Sequence, residues 1–475
     1  MSQIHHPAVG PTAVIEAPLA LQLFDARHAP LAIGILALVS LLAFEALAVN
    51  TAMPVVMQAL QATRWYPLVF AAAMAGALLG MVLGGLQSDS HGPGRPLRWG
   101  LAIFVFGLLL AGLAQGVGGL VVGRLLQGFG SGLQAVALYA FVGRALPPAL
   151  HPRMFGLFAA AWVLPALVGP VLTGLIVDLA GWRWVFLAVP PLALPCLWLL
   201  WPALQRISVD ASMHRPQASD HRAMGWAAVA SLSTLLLPWA DRWWQGWGLL
   251  PVLLALAISA QALLPPGSLR LRPGLPSVVA LRGLIAAAFA SIEIYLPLLL
   301  QSQQRWTPTQ AGLALSVGAL SWAAGSQWQA RYAERYPEHW GLVAGIALMA
   351  IGMLPLLAVA SGAPAAWSIP GMLFCGLGIG SVFPRLSVLV LALSAPDAQG
   401  RGASALQLAD ALLTAMVTAL AGLLFSRWVE SAPAIAFQIV LGVALVVGVG
   451  ATIVDWIWGK DPTEQMLINL GVAKD

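Results

Sequence analysis

Five ionisable side chains, Glu45, Arg124, Glu293, Arg385 and Asp410, interrupt runs of apolar residues long enough to cross a bilayer. A charge at that depth costs at least about 2.5–3.5 kcal/mol on insertion scales, so each should face a bundle interior and find a carboxylate, a carbonyl or water. An embedded carboxyl can do proton chemistry. Desolvation favours its neutral form, a nearby arginine favours its charged form, and a movement that alters the balance loads or releases a proton. Glu45 lies roughly 21 Å from the start of its run at 1.5 Å per residue, and Arg124 about 10 Å into a run that enters from the opposite side. Those depths match in a core about 30 Å thick, so the two are candidate partners, either as a permanent ion pair or as a proton-coupling pair. Asn50, about one and a half turns beyond Glu45, and Gln127, one turn from Arg124, are candidates to hydrogen-bond the pair or a substrate, or to join helices. Arg385 and Asp410 also match in depth, at roughly 12–14 Å, and read as a structural pair, with Asp410 a further proton-coupling candidate. Glu293 has no evident partner and precedes Pro297 by four residues near mid-membrane, which suits a second protonation site or a contact for a cationic substrate. Trp162 and Trp322 fall inside spans, where they either line an aromatic pocket or pack in the core.

The elements that must position these groups are membrane helices. Of 475 residues, 60% are hydrophobic and 9% charged, against about 25% charged in soluble domains. The mean hydropathy is +0.85. Continuous apolar runs of about 20 residues call for helices, because the strands of a barrel alternate over about ten. The expected fold is all-α and integral to the membrane, with spans near 31–56, 66–87, 98–118, 119–146, 153–180 and 182–203, two near 224–241 and 246–265, and six near 276–302, 307–330, 339–360, 367–394, 402–427 and 433–457. That is fourteen, with twelve as the alternative if the pair around ADRWWQGW forms an interfacial hairpin. The corresponding units are a tail over 1–30, a six-helix bundle over 31–203, a linker over 204–223, the additional pair over 224–266, a basic linker over 267–275, a second, pseudo-repeated six-helix bundle over 276–457 and a tail over 458–475. Two such bundles point to the repeated architecture of secondary transporters, with a substrate site at the midplane. With both termini cytoplasmic, only Arg64, Arg183, Arg242, Arg305 and Arg427 of the 23 Lys and Arg fall outside, as the positive-inside rule requires of a cell inner membrane protein. Residues 1–29 lack the pattern of a cleavable signal, so the first helix is expected to direct its own insertion.

Three further stretches stand out. The loop GGLQSDSHGPGRPLRWG carries Gly85, Asp89 four residues later, and Gly94 and Arg95 in a tight basic turn. The fourth span carries Arg124, Gln127, Gly128 and Gly130, and glycines there let another backbone approach closely. The fifth carries LPALVGPVLTG, with Pro165, Gly169, Pro170 and Gly174 on roughly one face. Each has an ordinary reading as well: a solvated topogenic loop, a packing contact, a kink. In this order and on these helices they resemble the major facilitator superfamily, whose loop signature, RxxQGxG signature and GPxxGG-type antiporter signature all have counterparts here. EALAVNTAMP, Glu45 to Pro54, resembles the LDxTxVNxALP signature of its fourteen-helix drug:proton antiporter branch, with Glu45 for the aspartate and Leu47 for the threonine. Thr173 stands for a glycine of the antiporter signature. The resemblance implies alternating access, with these motifs in gating.

The expected function is export of small, partly hydrophobic compounds coupled to proton influx, with import by symport or facilitation as the alternative and a non-transporting membrane sensor behind both. No Walker pattern contains Lys460 or Lys474, and no span carries a His pair or HExxH spacing. Neither an enzyme nor a metal site is expected, and no cofactor besides the proton gradient. The expected partners are a small-molecule substrate, protons and the lipid bilayer, without nucleic acid, around a monomeric chain.

Overall fold

The computed structural model describes residues 23–25, 28–146, 150–207, 218–242, 248–332, 338–393 and 399–458. Most of the two expected tails and half of the 204–223 linker (208–217) lie outside them. The described residues are helical, without a strand, and contain fourteen helices of 15 residues or more. These are α1 (Ala29–Ala59), α2 (Tyr66–His91), α3 (Gly94–Gly112), α4 (Val117–Ala145), α5 (His151–Ala180), α6 (Val189–Ile207, led in by a five-residue helix), α7 (Ala218–Leu236), α8 (Leu249–Leu263), α9 (Leu275–Ser302), α10 (Pro308–Tyr332), α11 (Glu338–Ala360), α12 (Ser368–Leu393), α13 (Gln399–Trp428) and α14 (Pro433–Trp458). Twelve segments are long and apolar enough to cross a membrane, so this is a multi-pass membrane protein. The two helices that miss that standard are α8, with 15 residues, and α10, whose 25 residues include three serines and three glutamines. The number of helices meeting that standard is therefore twelve, for a reason the sequence reading did not anticipate. Within the uncertain pair α7 qualifies and α8 does not, and the second shortfall is the polar α10.

Between lipid-solvated helices there is little hydrophobic drive, so close packing has to come from small residues. α4 is wedged between α2 and α3 in this way. A Cβ on Gly128 would strike the Ala73 carbonyl of α2, and Gly76 and Gly80 of α2 lie against the Leu125 and Phe129 carbonyls of α4. On the other face, Gly130 abuts Gly100, and Gly107 brings α3 to within 2.5 Å of where a Cβ would meet the Gln127 nitrogen. α12 is held likewise, with Gly376 and Gly380 on α10 and Gly378 on Gly345 of α11. α5 runs along α1 and α10; Gly174 lies on the Thr309 backbone and Gly312 on the Pro170 carbonyl.

Proline inside a helix strips the hydrogen bond from the carbonyl four residues earlier. In a membrane that carbonyl needs another donor. Pro165 frees the Ala161 carbonyl, and the Ser40 hydroxyl of α1 donates to it at 2.9 Å. Pro384 frees the Gly380 carbonyl, and the Ser326 hydroxyl of α10 donates to it at 3.0 Å. α7 and α8 lie over the seam between α2 and α13. Ser231 donates to the Ala75 carbonyl at 2.8 Å, and Ala230, Leu256 and Ala260 pack with Leu78 of α2 and with Leu406, Ala409 and Leu412 of α13.

Candidate functional site

α1 and α4 bring their buried charges together as the matched depths anticipated. Arg124 Nη1 donates to Glu45 Oε1 at 3.1 Å and to Gln127 Oε1 at 2.7 Å, and Gln127 Nε2 donates to the same Glu45 oxygen. Arg124 and Gln127 are one turn apart and share a face of α4, which is why both reach one oxygen. All three side chains are buried, Gln127 at 1% exposure and the two charged residues at 7%. The cluster is lopsided. Every hydrogen bond to the carboxylate ends on Oε1, so Oε2 has no partner among the described residues. The guanidinium gives only Nη1, and its Nε is buried without a partner among the described residues. Glycine packing fixes the α4 side of the cluster, since the residues flanking Gln127 sit directly on α2 and α3. Asn50 is half-buried and makes no hydrogen bond with the described residues.

Asp410 takes a different partner from the expected Arg385. Arg282 of α9 holds it, with Nε at 3.0 Å from Oδ2 and 3.3 Å from Oδ1. Arg282 Nη1 also donates to Ser387 Oγ at 2.5 Å and to the Phe383 carbonyl at 3.3 Å, and its guanidinium lies 4.2 Å from the Phe383 ring centroid. The cause is which face of α13 carries Asp410. Gly283 lets α9 approach until an added Cβ would stand 2.7 Å from the Ala409 carbonyl, so Asp410 meets the neighbouring Arg282. The Arg385 guanidinium packs instead on Gly341 of α11. Glu293 is half-buried and has no hydrogen bond or ion pair among the described residues. One turn away Phe289 meets Trp322 edge-on at 5.2 Å, and Trp322 meets Phe383 at 5.2 Å, so Trp322 is part of an aromatic row that ends at Arg282. Trp162 is 47% exposed.

The motif residues divide by what they touch. Gly128 and Gly130 are close-approach positions. Gly85 is not, because an added Cβ would make an ordinary 3.8 Å contact with Val136. The turn after α2 is made by Gly92 in a left-handed conformation (φ 79°), while Gly94 and Arg95 open α3 instead of closing the turn. The Asp89 side chain lies outside the described residues. In α5, Gly169 faces Phe44 at 3.5 Å, Pro165 and Pro170 stay within a continuous helix, and Gly174 makes the contact with α10. Asp178 accepts a hydrogen bond from Thr309 at 2.6 Å beside it. At that end of the bundle, the Tyr66 hydroxyl donates to the Ile294 carbonyl at 2.5 Å and Gln301 Nε2 to the Thr51 carbonyl at 3.2 Å, tying α1 and α2 to α9. Sequence reading missed Arg282. Its signal was present, since Arg282 stands seven residues inside α9 and not in a loop.

Residues 31–418 match the Major Facilitator Superfamily. The chain belongs to that superfamily. Its relatives include a protein of Mycobacterium tuberculosis named probable multidrug-efflux transporter, 28% identical over 327 residues, covering 64% of this chain and 68% of the relative. Multidrug resistance protein 3 of Bacillus subtilis is 24% identical over 371 residues, covering 74% and 71%. Among solved structures, a D-xylose-proton symporter aligns with a TM-score of 0.65 at 16% identity over 90% of this chain and 97% of its own. An auto-inhibited POT family peptide transporter aligns with a TM-score of 0.68 at 16% identity over 90% and 96%. At that identity the two structures establish the fold alone. Superfamily membership makes the chain a transporter that moves a small molecule across the bilayer, and not an enzyme.

Proposed function

We propose that this superfamily transporter exports small, partly hydrophobic compounds in exchange for protons by alternating access, as a member of the fourteen-helix drug:proton antiporter branch. The observation that carries the reading is the half-used carboxylate of Glu45. It is buried inside the bundle, its charge is balanced by Arg124 through one oxygen, and the other oxygen is left to take a proton. Protonation there would cancel the attraction that joins α1 to α4, and so would link proton binding to a change in helix contacts. Glu293, without a hydrogen bond or ion pair from its side chain among the described residues, serves as a second protonation site, while Asp410 is held by Arg282 in a structural role. The two helix sets over 31–203 and 276–457 act as the moving bundles, with both termini cytoplasmic, and the Gly174–Thr309 contact is one seam between them. The names of two relatives, a probable multidrug-efflux transporter and a multidrug resistance protein, support efflux as the direction.

The test is fluorescence dequenching of a pH probe in energised inside-out vesicles over a panel of cationic, neutral and anionic compounds, with native protein and Glu45→Gln. Compound-dependent proton release from the native protein, absent from the variant, is the expected result. Equal release in both would reduce Glu45 to a structural partner. Proton movement in the same direction as the compound would replace exchange by symport.

A further inference from the structure

We propose that Arg124 is also a substrate contact, and that the edge formed by its Nε and Nη2 receives a neutral oxygen acceptor, a carbonyl or similar group, on a flat apolar substrate. The inference rests on the exchange reading above, because it places the substrate at the same pair. Arginine offers five N–H donors in a planar fork, and its Nε–Nη2 edge delivers two of them side by side. Here both hydrogen bonds leave from Nη1, to Glu45 Oε1 and to Gln127 Oε1, and the buried Nε has no partner. A buried donor left unmade is costly, and buried polar groups are nearly always satisfied. An arginine at 7% exposure whose buried Nε has no partner among the described residues has a donor in place for something those residues do not supply.

The charge state of the pair decides what that something is. Glu45 already balances the guanidinium at 3.1 Å, so a second carboxylate at the open edge would meet a site with no net charge to offset its own desolvation. A neutral acceptor gains hydrogen bonds from a charged donor without that cost. Exchange follows in the required order. While Glu45 is ionised it fixes the guanidinium and presents the open edge, and a proton on Oε2 loosens that hold and with it the substrate.

Four probes share one tricyclic frame: 9-fluorenone with a carbonyl, fluorene without one, fluorene-9-carboxylate as the anion and 9-aminofluorene as the cation. Binding is read by calorimetry on the purified full chain in nanodiscs, against empty nanodiscs and with no proton gradient. Fluorenone should bind native protein at least about tenfold more tightly than fluorene, the loss expected for hydrogen bonds from a charged donor. Arg124→Lys, which keeps the charge and removes the planar edge, should erase that preference. Glu45→Gln, which removes the counter-charge, should shift the preference toward the carboxylate. If Arg124→Lys does not fold, the double variant Glu45→Gln with Arg124→Lys, which leaves no ionised carboxylate beside a displaced ammonium, replaces it. Equal binding of fluorenone and fluorene to native protein overturns the proposal, as does an unchanged preference in the lysine variant. Tightest binding of the carboxylate or of 9-aminofluorene to native protein overturns it too, the latter in favour of recognition by Glu293. A failed preference leaves the vesicle proton-flux result standing, and a failed flux leaves the binding preference readable.

Discussion

The hydroxyl that caps a proline-freed carbonyl allows a clean test of the packing logic. Ser40 of α1 donates at 2.9 Å to the Ala161 carbonyl, which lost its own helical donor because residue 165 is proline. Removing the hydroxyl in Ser40→Ala leaves that acceptor without a partner in a half-buried position. Interhelical hydrogen bonds in membrane proteins are worth about 0.6 kcal/mol on average and about 1.7 at most. The acceptor here has no alternative within its own helix, so the cost should fall in the upper part of that range, about 1–1.7 kcal/mol. Pro165→Ala restores a backbone N–H at 165 that can reach Ala161. In that background Ser40→Ala should cost no more than about 0.3 kcal/mol, the scatter within which independent sites add. Unfolding in mixed detergent micelles, followed by circular dichroism across the four proteins of the cycle, reads the coupling directly. An equal cost of Ser40→Ala with and without the proline would refute the claim that the hydroxyl is there for the freed carbonyl.

Other changes should behave as the contacts dictate. Gly128→Val puts a branched side chain into the Ala73 carbonyl and should abolish folded yield on size-exclusion chromatography, whereas Gly85→Ala, with its nearest contact at 3.8 Å, should leave yield and transport within twofold of native. Asp410→Leu strands Arg282 and should cost about 3 kcal/mol, the lower end for a broken buried pair because the Asp410 side chain keeps 25% of its exposure. The double variant Arg282→Met with Asp410→Leu should recover most of that stability in the same micelle assay.

What could be read from the sequence followed from depth, and what could not followed from direction. Apolar runs predicted where helices lie because each must satisfy its own backbone in lipid. Counting residues from a span end placed Glu45 and Arg124 at one level, and Gln127, one turn along, came with them. The same counting joined Asp410 to Arg385, because depth does not say which face of α13 looks at which neighbour. The Gly283 contact with Ala409 decides that, and it is a property of two helices at once. α10 shows the converse. Its serines and glutamines keep it short of the apolar standard, yet it has a place in the bundle because Ser321 and Ser326 turn their hydroxyls onto carbonyls of their own and the adjoining helices.

The backbone-to-backbone seating of α4 sets the two partners of the ion pair apart. α4 has no room to shift against α2 or α3 without forcing carbonyls into glycine Cα positions, so the three form one closely seated block that holds Arg124. α1 touches α4 only sparsely, its main neighbours being α5 and α6. Of the two partners of the ion pair, Arg124 sits in the glycine-packed block and Glu45 on a helix packed mainly against α5 and α6. Under the exchange proposed above, Arg124 would be the fixed reference against which the charge on Glu45 is read, and a bound proton would be felt first by α1.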